Sequence, residues 1–310
     1  MKLHLNKQLF QNYIALASQS ENIDEAIIEK DYFVILALKH IYAIQDDLVF
    51  IGGTSLSKCF NIINRFSEDI DLVATAESRK GRQRATDNII KKLADKWPWE
   101  NEANNDIYTD FKEMYLHYAK DSVSDIDQRV KLELLTFIDP FPLIEKHVEA
   151  IVVKHMDQND IDKFDMHKIS VLTQAPYRTF FEKISLEKEL FKDDLEGRLS
   201  DESQERRARD FYDIHKIWIF YDKKVPIDAD VFSRLISSRI KHRRNRTVVD
   251  QGAFNRYKLL EMFRKKNIRA QLEETDFRKL SIRDLDCDAI EVSLKEIDRF
   301  FEELLSNGRT

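Results

Sequence analysis

Glycine, proline and cysteine are scarce in this chain, and long hydrophobic runs are missing. Its 310 residues include only six glycines, five prolines and two cysteines. So few helix-breaking residues argue against long disordered linkers and predict a helix-rich globular protein. The longest apolar run, residues 32–38, has seven residues, far short of the roughly 20 that a membrane-spanning helix requires. No signal-type apolar region is found at the N-terminus, so we expect a cytoplasmic protein without a membrane segment.

The cysteines and the charge balance exclude further classes of protein. Cys59 and Cys287 are far apart and show neither paired nor Cys–His spacing, so we expect free thiols and no disulfide or zinc site. The net charge is −6, from 50 basic and 56 acidic residues, which excludes a uniformly basic nucleic-acid binder. A chain of this length can form two domains or one large bilobed domain.

The hydrophobic periodicity predicts an α+β protein. In residues 1–150, helices are predicted at 5–44, followed by a small mixed β-sheet with flanking helices. The predicted strands are 48–51 and 69–74, with a hairpin of 111–119 and 129–138, and the predicted flanking helices are 54–64 and 83–97. Residues 151–310 read as a mainly helical lobe, with a short strand at 169–173 and helices at 177–193, 203–221, 229–240, 252–274 and 289–305. This pattern predicts a sheet flanked by helices, completed by a helical C-terminal lobe.

The most informative segment runs from residue 50 to residue 73. A short apolar strand stops at Gly52-Gly53, Thr54-Ser55 begin a helix, and Asp69 and Asp71 follow on the next strand. Residues two apart on a strand point to the same side, so the two carboxylates should face the same way. Backbone N–H groups of a glycine turn suit phosphate, and paired carboxylates suit a divalent metal ion. The Asp-x-Asp spacing occurs six times in the chain, but only here does it follow a strand, a Gly-Gly turn and a helix.

A third carboxylate is expected on the hairpin. Alternation along residues 129–136 sends Lys131 and Glu133 to the face opposite the apolar residues. Glu133 is therefore a candidate for the third acid of a two-metal site, which helps to bind the metal ion that activates the attacking hydroxyl. The alternative is an exposed, ion-paired strand face, which contributes little to stability.

Five segments together resemble one protein family. Gly52–Leu56 and Arg65–Leu72 resemble motif I of the AbiEii/AbiGii toxin family, within the polymerase-beta-like nucleotidyltransferase superfamily. Glu29–Tyr32 resembles the N-terminal helix signature of that family, Glu187–Leu190 its lysine motif, and Arg209–Ile214 its Arg-Asp-x-x-Asp motif. The ordered set is much more specific than any single motif.

The resemblance implies an NTP-dependent nucleotidyltransferase that uses Mg²⁺ or Mn²⁺. Its expected acceptor is RNA, at the tRNA 3′ end, and it would act as the toxin of a toxin–antitoxin or phage-defence pair with a cognate antitoxin. The metal ligands would be Asp69, Asp71 and Glu133, with Lys188 and Asp210 as further catalytic residues. The expected nucleotide-binding residues are Gly52, Gly53, Thr54, Ser55, Arg65, Ser67 and Asp213.

Several of these residues also have ordinary structural explanations. The Ser67 hydroxyl could bond the local backbone, and Lys188 on its own would be a surface lysine. Asp210 and Asp213 lie three apart on one predicted helix and could belong to a capped, salt-bridged helix. The alternative functions are nucleotidyl transfer to a protein or small-molecule hydroxyl, and a catalytically inactive nucleotide-binding interaction module.

Two basic clusters are candidates for contact with RNA. Residues 239–246 hold five Arg or Lys in eight positions, and residues 78–84 hold four in seven. Such clusters attract a polyanion within a Debye length, about 8–10 Å at physiological salt; the alternative for each is a solvated helix end or loop. The candidate RNA-binding residues are Arg79, Lys80, Arg82, Arg84, Arg239, Lys241, Arg243, Arg244 and Arg246.

Overall fold

The structure is a computed structural model that describes residues 2–76, 78–104, 111–119, 127–136, 138–197, 207–242, 251–274 and 285–307. The chain divides into two compact units, residues 1–60 with 66–174 and residues 61–65 with 175–310. The first unit extends beyond residue 150, where the sequence suggested a boundary, because the strand that ends at Gln174 pairs within its sheet. Among the described helices, none has the length and apolar character needed to cross a membrane.

Two helices open the first unit, after a 3₁₀ turn at Leu3–Leu5. They are α1 (Lys7–Glu21) and α2 (Glu25–Tyr42), and the side chains of Asn6 and Asp24 cap their N-termini. Every residue of α2 from position 26 to position 38 is buried, so this helix is enclosed by the rest of the unit. The other helices of the unit are α3 (Gly52–Lys58), α4 (Arg79–Lys96), a 3₁₀ helix at Ile151–His155, and α5 (Gln158–Phe164).

Seven strands form one mixed sheet in the order β3-β4-β5-β2-β1-β7-β6. The strands are β1 (Leu48–Ile51), β2 (Ile70–Ala74), β3 (Asn101–Asn104), β4 (Phe111–His117), β5 (Arg129–Leu135), β6 (Leu143–Val148) and β7 (Ile169–Gln174). β2 runs antiparallel to β1 and parallel to β5, and β1 runs parallel to β7. The predicted α+β class and the predicted hairpin, β4 with β5, are both confirmed.

The two faces of the sheet differ, as period-two alternation requires. Phe50, Leu72 and Leu132 belong to the large core of the unit, which also contains the apolar residues of α2. On the opposite face, Val49, Ile51, Val73 and Leu135 form a much smaller apolar cluster. Asp71 and Glu133 alternate with the large-core residues, and they therefore lie on the same face as the small cluster.

The second unit is helical in its described residues from 175 onwards. Its helices are α6 (Pro176–Leu195), α7 (Arg207–Phe220), α8 (Ala229–His242), α9 (Gln251–Arg256), α10 (Leu259–Lys265), α11 (Ile268–Glu273) and α12 (Cys287–Asn307). Stacked and edge-on rings fill its core: Phe254 lies 5.7 Å from Phe181 and 5.0 Å from Phe301 between ring centroids. The single helix predicted at 252–274 is three helices. Asn267, with a left-handed φ of 51°, separates the last two.

Candidate active site

Three carboxylates lie side by side across neighbouring strands, and we call them the acid row: Glu113, Glu133 and Asp71. In the parallel register of β2 and β5, Asp71 is the partner of Glu133. In the antiparallel register of β4 and β5, Glu113 is the partner of Glu133. Laterally paired residues point to the same face of a sheet, so the three carboxylates share one face. This register places Glu133, the candidate third acid, beside Asp71, and Glu113 is an acid that the sequence analysis missed.

The side chain of Lys131 contacts two carboxylates of the acid row. Its Nζ atom is 2.5 Å from Glu133 Oε1 and 3.0 Å from Glu113 Oε2. Burial disfavours the ammonium ion, but the two carboxylates outweigh this effect, and the pKa of Lys131 is raised. The strand face is therefore ion-paired, as the alternative interpretation of Glu133 expected. The same Glu133 is also aligned with Asp71.

The Gly-Gly turn contacts the acid strand directly. Gly52 has a φ of +77°, and a Cβ atom at this position would lie 2.0 Å from Asp71 Oδ2. Only glycine allows the backbone to approach this carboxylate so closely. Thr54 Oγ1 donates a hydrogen bond of 2.9 Å to Ser67 Oγ, and Ser55 Oγ donates one of 2.9 Å to the carbonyl oxygen of Gly52. The first of these bonds joins the turn to the segment that leads to Asp69, and the second braces the turn itself.

The chemistry of this donor set fits a hard divalent cation. Carboxylate oxygens are the ligands that Mg²⁺ and Mn²⁺ prefer, and Asp69 precedes β2 by one residue while Asp71 lies within it. Within the ranges that the structure describes, no three His, Cys, Asp or Glu side chains are arranged as a ready set of metal ligands. Metal binding by Asp69, Asp71 and Glu133 therefore stays a prediction.

Four charged side chains of the second unit form a network that we call the charge quartet: Arg65, Lys183, Asp210 and Asp213. Arg65 donates from Nε to Asp213 Oδ1 and from Nη2 to Asp213 Oδ2, both at 2.7 Å. Lys183 Nζ lies 3.0 Å from Asp213 Oδ2 and also pairs with Asp210. Burial alone would raise the pKa of Asp213, but Arg65 and Lys183 hold it below its usual value. Two cations and two carboxylates balance, so this network is satisfied internally.

A family model now adds a comparison across most of the chain. The model of the nucleotidyl transferase AbiEii toxin, of type IV toxin–antitoxin systems, matches residues 37–307. The chain belongs to the AbiEii nucleotidyl transferase toxin family. It is therefore a nucleotidyltransferase that uses an NTP, and membership of a toxin–antitoxin family supports an antitoxin as partner. No curated protein matches the chain.

In this AbiEii-family protein, the lysine that meets the aspartates of α7 is Lys183. Lys188 Nζ donates instead to the carbonyl oxygens of Phe254, at 2.9 Å, and Tyr257, at 2.5 Å. Burial lowers the pKa of Lys188 to about 7. Five residues of an α-helix correspond to a rotation of about 140° beyond a full turn, so the two lysines point to different sides of α6. No local sequence pattern singled out Lys183. Only its position on the face of α6 that meets α7 distinguishes it from other helical lysines.

The basic cluster at residues 79–84 divides between structural and exposed side chains. Arg82 donates from Nε to the carbonyl oxygen of Thr136, at 2.6 Å, and from Nη1 to that of Ala76, at 2.9 Å. It therefore ties α4 to the segments that follow β2 and β5. Lys80 and Arg84 are exposed, and the side chain of Arg79 lies outside the described residues.

In the second basic cluster, Arg239 is a buried residue rather than a surface one. Only 4% of it is exposed, and it donates from Nε and Nη2 to the two carboxylate oxygens of Glu189, both at 2.6 Å. It also pairs with Glu182. Lys241 is exposed, and the predicted contacts of Arg243, Arg244 and Arg246 lie outside the described residues.

Both cysteines are free thiols. Burial raises the pKa of each thiol, which disfavours the reactive thiolate.

Proposed function

We propose that the protein transfers nucleotides from an NTP to RNA, at the tRNA 3′ end, in a reaction that requires Mg²⁺ or Mn²⁺. It would act in the cytoplasm as the toxin of a phage-defence pair. One observation carries the proposed site: the register that pairs Asp71 with Glu133, with the Gly52 backbone against the same Asp71 carboxylate. In a nucleotidyltransferase family, a glycine turn beside aligned carboxylates supports phosphate and metal binding at this edge of the sheet.

The first unit would supply the following roles. Asp69, Asp71 and Glu133 would hold the metal ion, which neutralises phosphate charge and helps to activate the attacking hydroxyl. Backbone N–H groups of Gly52-Gly53 would donate to the phosphates, together with the hydroxyls of Thr54-Ser55. Ser67 would orient Thr54, because the two hydroxyls are hydrogen-bonded.

In the second unit, the charged groups of the quartet are the candidates for a functional role. Arg65 is 5% exposed and Asp213 is fully buried, so their mutual pairing supports a role in holding α7 in place before any nucleotide binds. Lys183 and Asp210 keep 14% and 16% of their side chains exposed. We therefore favour Lys183 over Lys188 as the lysine that neutralises phosphate charge, with Asp210 as its catalytic neighbour. Lys183→Met should then reduce transfer much more than Lys188→Met at equal stability.

Labelled-nucleotide transfer tests the proposed reaction. The purified protein is incubated with each labelled NTP, total RNA and Mg²⁺, beside the Asp69→Ala variant and a sample containing a chelator. We expect label in the RNA fraction with the wild-type protein only, removable from tRNA by a 3′ exonuclease. Label in protein or in a small molecule instead would mean that RNA is not the acceptor. Full activity of folded Asp69→Ala would exclude the proposed site.

The exposed cations of the first basic cluster test the acceptor separately. Binding through phosphates releases counterions, so each Lys or Arg removed should lower the slope of log affinity against log salt by up to about one. Lys80→Gln with Arg84→Gln should therefore weaken RNA binding and leave NTP binding intact. The matched control is Lys154→Gln with Lys168→Gln, two exposed lysines outside both clusters. An equal loss in the control pair would mean that RNA binds without preference for this cluster.

A further inference from the structure

Three consecutive charged residues, Glu29, Lys30 and Asp31, are buried in the first half of α2. Each is at most 2% exposed. Successive residues of a helix point about 100° apart, so burial of all three means that the helix is enclosed on every side at this point. A charge is costly to bury unless it is paired and hydrogen-bonded. The partners of these residues therefore indicate what the charges hold together.

Lys30 joins the two segments that lead into the acidic strands. Its Nζ atom lies 2.5 Å from Glu68 Oε2 and donates a 2.9 Å hydrogen bond to the carbonyl oxygen of Asp127. Glu68 directly precedes Asp69, and Asp127 lies two residues before β5 begins. β2 and β5 are parallel, so both strands begin at the same edge of the sheet. One ammonium group thus ties the beginnings of the two strands together.

The neighbouring Asp31 anchors this part of α2 to the unit. Its Oδ2 atom accepts a 2.7 Å hydrogen bond from the backbone N–H of Ile151, and Oδ1 pairs with Lys58. Lys58 is the last residue of α3, the helix that begins at Gly52. Asp31 therefore fixes the backbone of α2 next to Lys30 to other parts of the first unit, and this holds Lys30 in place.

We propose that Lys30 is a positioning residue for the acid row. By holding the segments at Glu68 and Asp127, it keeps β2 and β5 in the register that places Asp71 beside Glu133. The inference rests on the proposed role of the acid row in metal binding, whereas the contacts of Lys30 do not depend on that role. Lys30 acts through the strands and is not assigned a contact with substrate.

The test compares two lysines of the same helix. Lys39 also lies on α2 and also binds one carboxylate and one backbone carbonyl, Asp165 Oδ1 at 2.7 Å and Asp165 O at 2.5 Å, but away from the acidic strands. The variants are Lys30→Met, Lys30→Arg, Glu68→Leu and Lys39→Met. The readouts are Mn²⁺ affinity by calorimetry, hydrogen exchange of the β2 and β5 amides without metal, and Tm.

We expect Lys30→Met and Glu68→Leu to weaken Mn²⁺ binding by about tenfold or more, the usual effect of losing a group that orients metal ligands. Exchange in β2 and β5 should become faster. Lys30→Arg should recover much of the affinity, because its guanidinium can reach both acceptors, and Lys39→Met should keep wild-type affinity whatever its Tm.

Asp71→Asn separates failure of this inference from failure of the proposed function. If Asp71→Asn binds Mn²⁺ as the wild type does, the acid row is not the metal site and the proposed function is wrong. If Asp71→Asn loses Mn²⁺ while folded Lys30→Met and Glu68→Leu keep it, positioning by Lys30 is wrong. Glu68, with 33% of its side chain exposed, decides the question by itself if Lys30→Met does not fold.

Discussion

The acid row of the first unit and the charge quartet of the second use similar side chains in opposite arrangements. Glu113, Glu133 and Asp71 lie next to one another on three strands, with Lys131 between two of them. In the quartet two carboxylates contact two cations and the charges balance, whereas in the acid row Lys131 pairs with both Glu113 and Glu133. Adjacent carboxylates repel one another, and binding of a cation relieves that repulsion. The first arrangement suits reversible binding of a metal ion, and the second suits holding helices together.

The largest effect is expected when the acid row loses its aspartate. Asp71→Asn should lower the rate of nucleotide transfer by about a thousandfold or more, because a metal ion contributes several kcal/mol of transition-state stabilisation. The free energy of unfolding without metal should stay the same or rise, since one repulsive charge is removed. Labelled-NTP transfer and urea unfolding measure the two quantities.

The control for Asp71→Asn is Asp162→Asn, in another Asp-x-Asp sequence of the same unit. Asp162 has 59% of its side chain exposed, and its substitution should leave transfer unchanged. Equal losses in the two variants, or full activity of Asp71→Asn, would remove the functional distinction between the acid row and ordinary surface aspartates.

The quartet should respond in stability. Arg65→Met leaves the buried Asp213 without its bidentate partner, and loss of one member of a buried pair typically costs about 3–5 kcal/mol. Urea unfolding at pH 7 measures this change. Adding Asp213→Leu should restore part of the loss, because Lys183 keeps Asp210 as its partner. A double variant as unstable as Arg65→Met would show that packing, and not charge balance, explains the quartet.

Two glycines with positive φ allow a matched comparison between the units. Gly52 has a φ of +77° and Gly197 a φ of +68°, but a Cβ at Gly197 would meet nothing within 4 Å. Alanine at either position should cost about 1–2 kcal/mol of stability through backbone strain. Only Gly52→Ala should also displace the Asp71 carboxylate, and a shift of about 1 Å can lower a rate by about a hundredfold. Transfer assays at equal folded fraction test this, and similar activities in the two variants would contradict it.

The last comparison separates two lysines, Lys188 and Lys131, by the pH dependence of stability. Burial lowers the folded-state pKa of Lys188 to about 7 from 10.5, so its contribution to stability is present above pH 10.5 and is lost as the pH falls towards 7. Stability should therefore rise between pH 7 and 10 by at most about 1.4 kcal/mol per pH unit from this group. Lys188→Met should flatten that rise in Tm measured across this range.

Lys131 provides the opposite case for that measurement. Its pKa is raised by Glu133 and Glu113 against the effect of burial, so its contribution is fully present below pH 10.5 and is lost only at higher pH. Lys131→Met should shift Tm by a similar amount at every pH from 7 to 10. If Tm has the same pH slope in both variants, Lys188 does not lose its charge in the folded protein in this range.

The strongest periodic patterns predicted the fold well, and weak patterns did not. Helices α6, α7, α8 and α12 were predicted within a few residues because long apolar stripes define them. Strands β3 and β6 were missed, since Asn101–Asn104 is short and polar and Leu143–Val148 includes charged residues at the edge of the sheet. The predicted helix at 54–64 ends at Lys58, and Asn61 beyond it has a left-handed φ of 53°.

The candidate site was predictable where local spacing determines direction. Period-two alternation indicated the direction of Asp71 and of Glu133 on their own strands, but the hairpin register that brings Glu113 beside Glu133 depends on the length of its turn and could not be read from alternation. Lys183 was missed because helical lysines are common and only the position of α7 distinguishes one from another. The pairing of Arg65 with Asp213 joins residues 148 positions apart, which no local pattern can indicate.

The enclosed helix α2 also affects where the protein can be cut for expression. The family match begins at residue 37, inside α2. A recombinant fragment that started there would lose α1 and most of α2, including Phe33, whose ring stacks on Tyr118 with 4.1 Å between centroids. The apolar face of the sheet would then meet water over a large area, and such a fragment should be recovered as insoluble aggregate. A useful expression boundary therefore has to precede α1, although the limits of the family match alone would place it about 30 residues later.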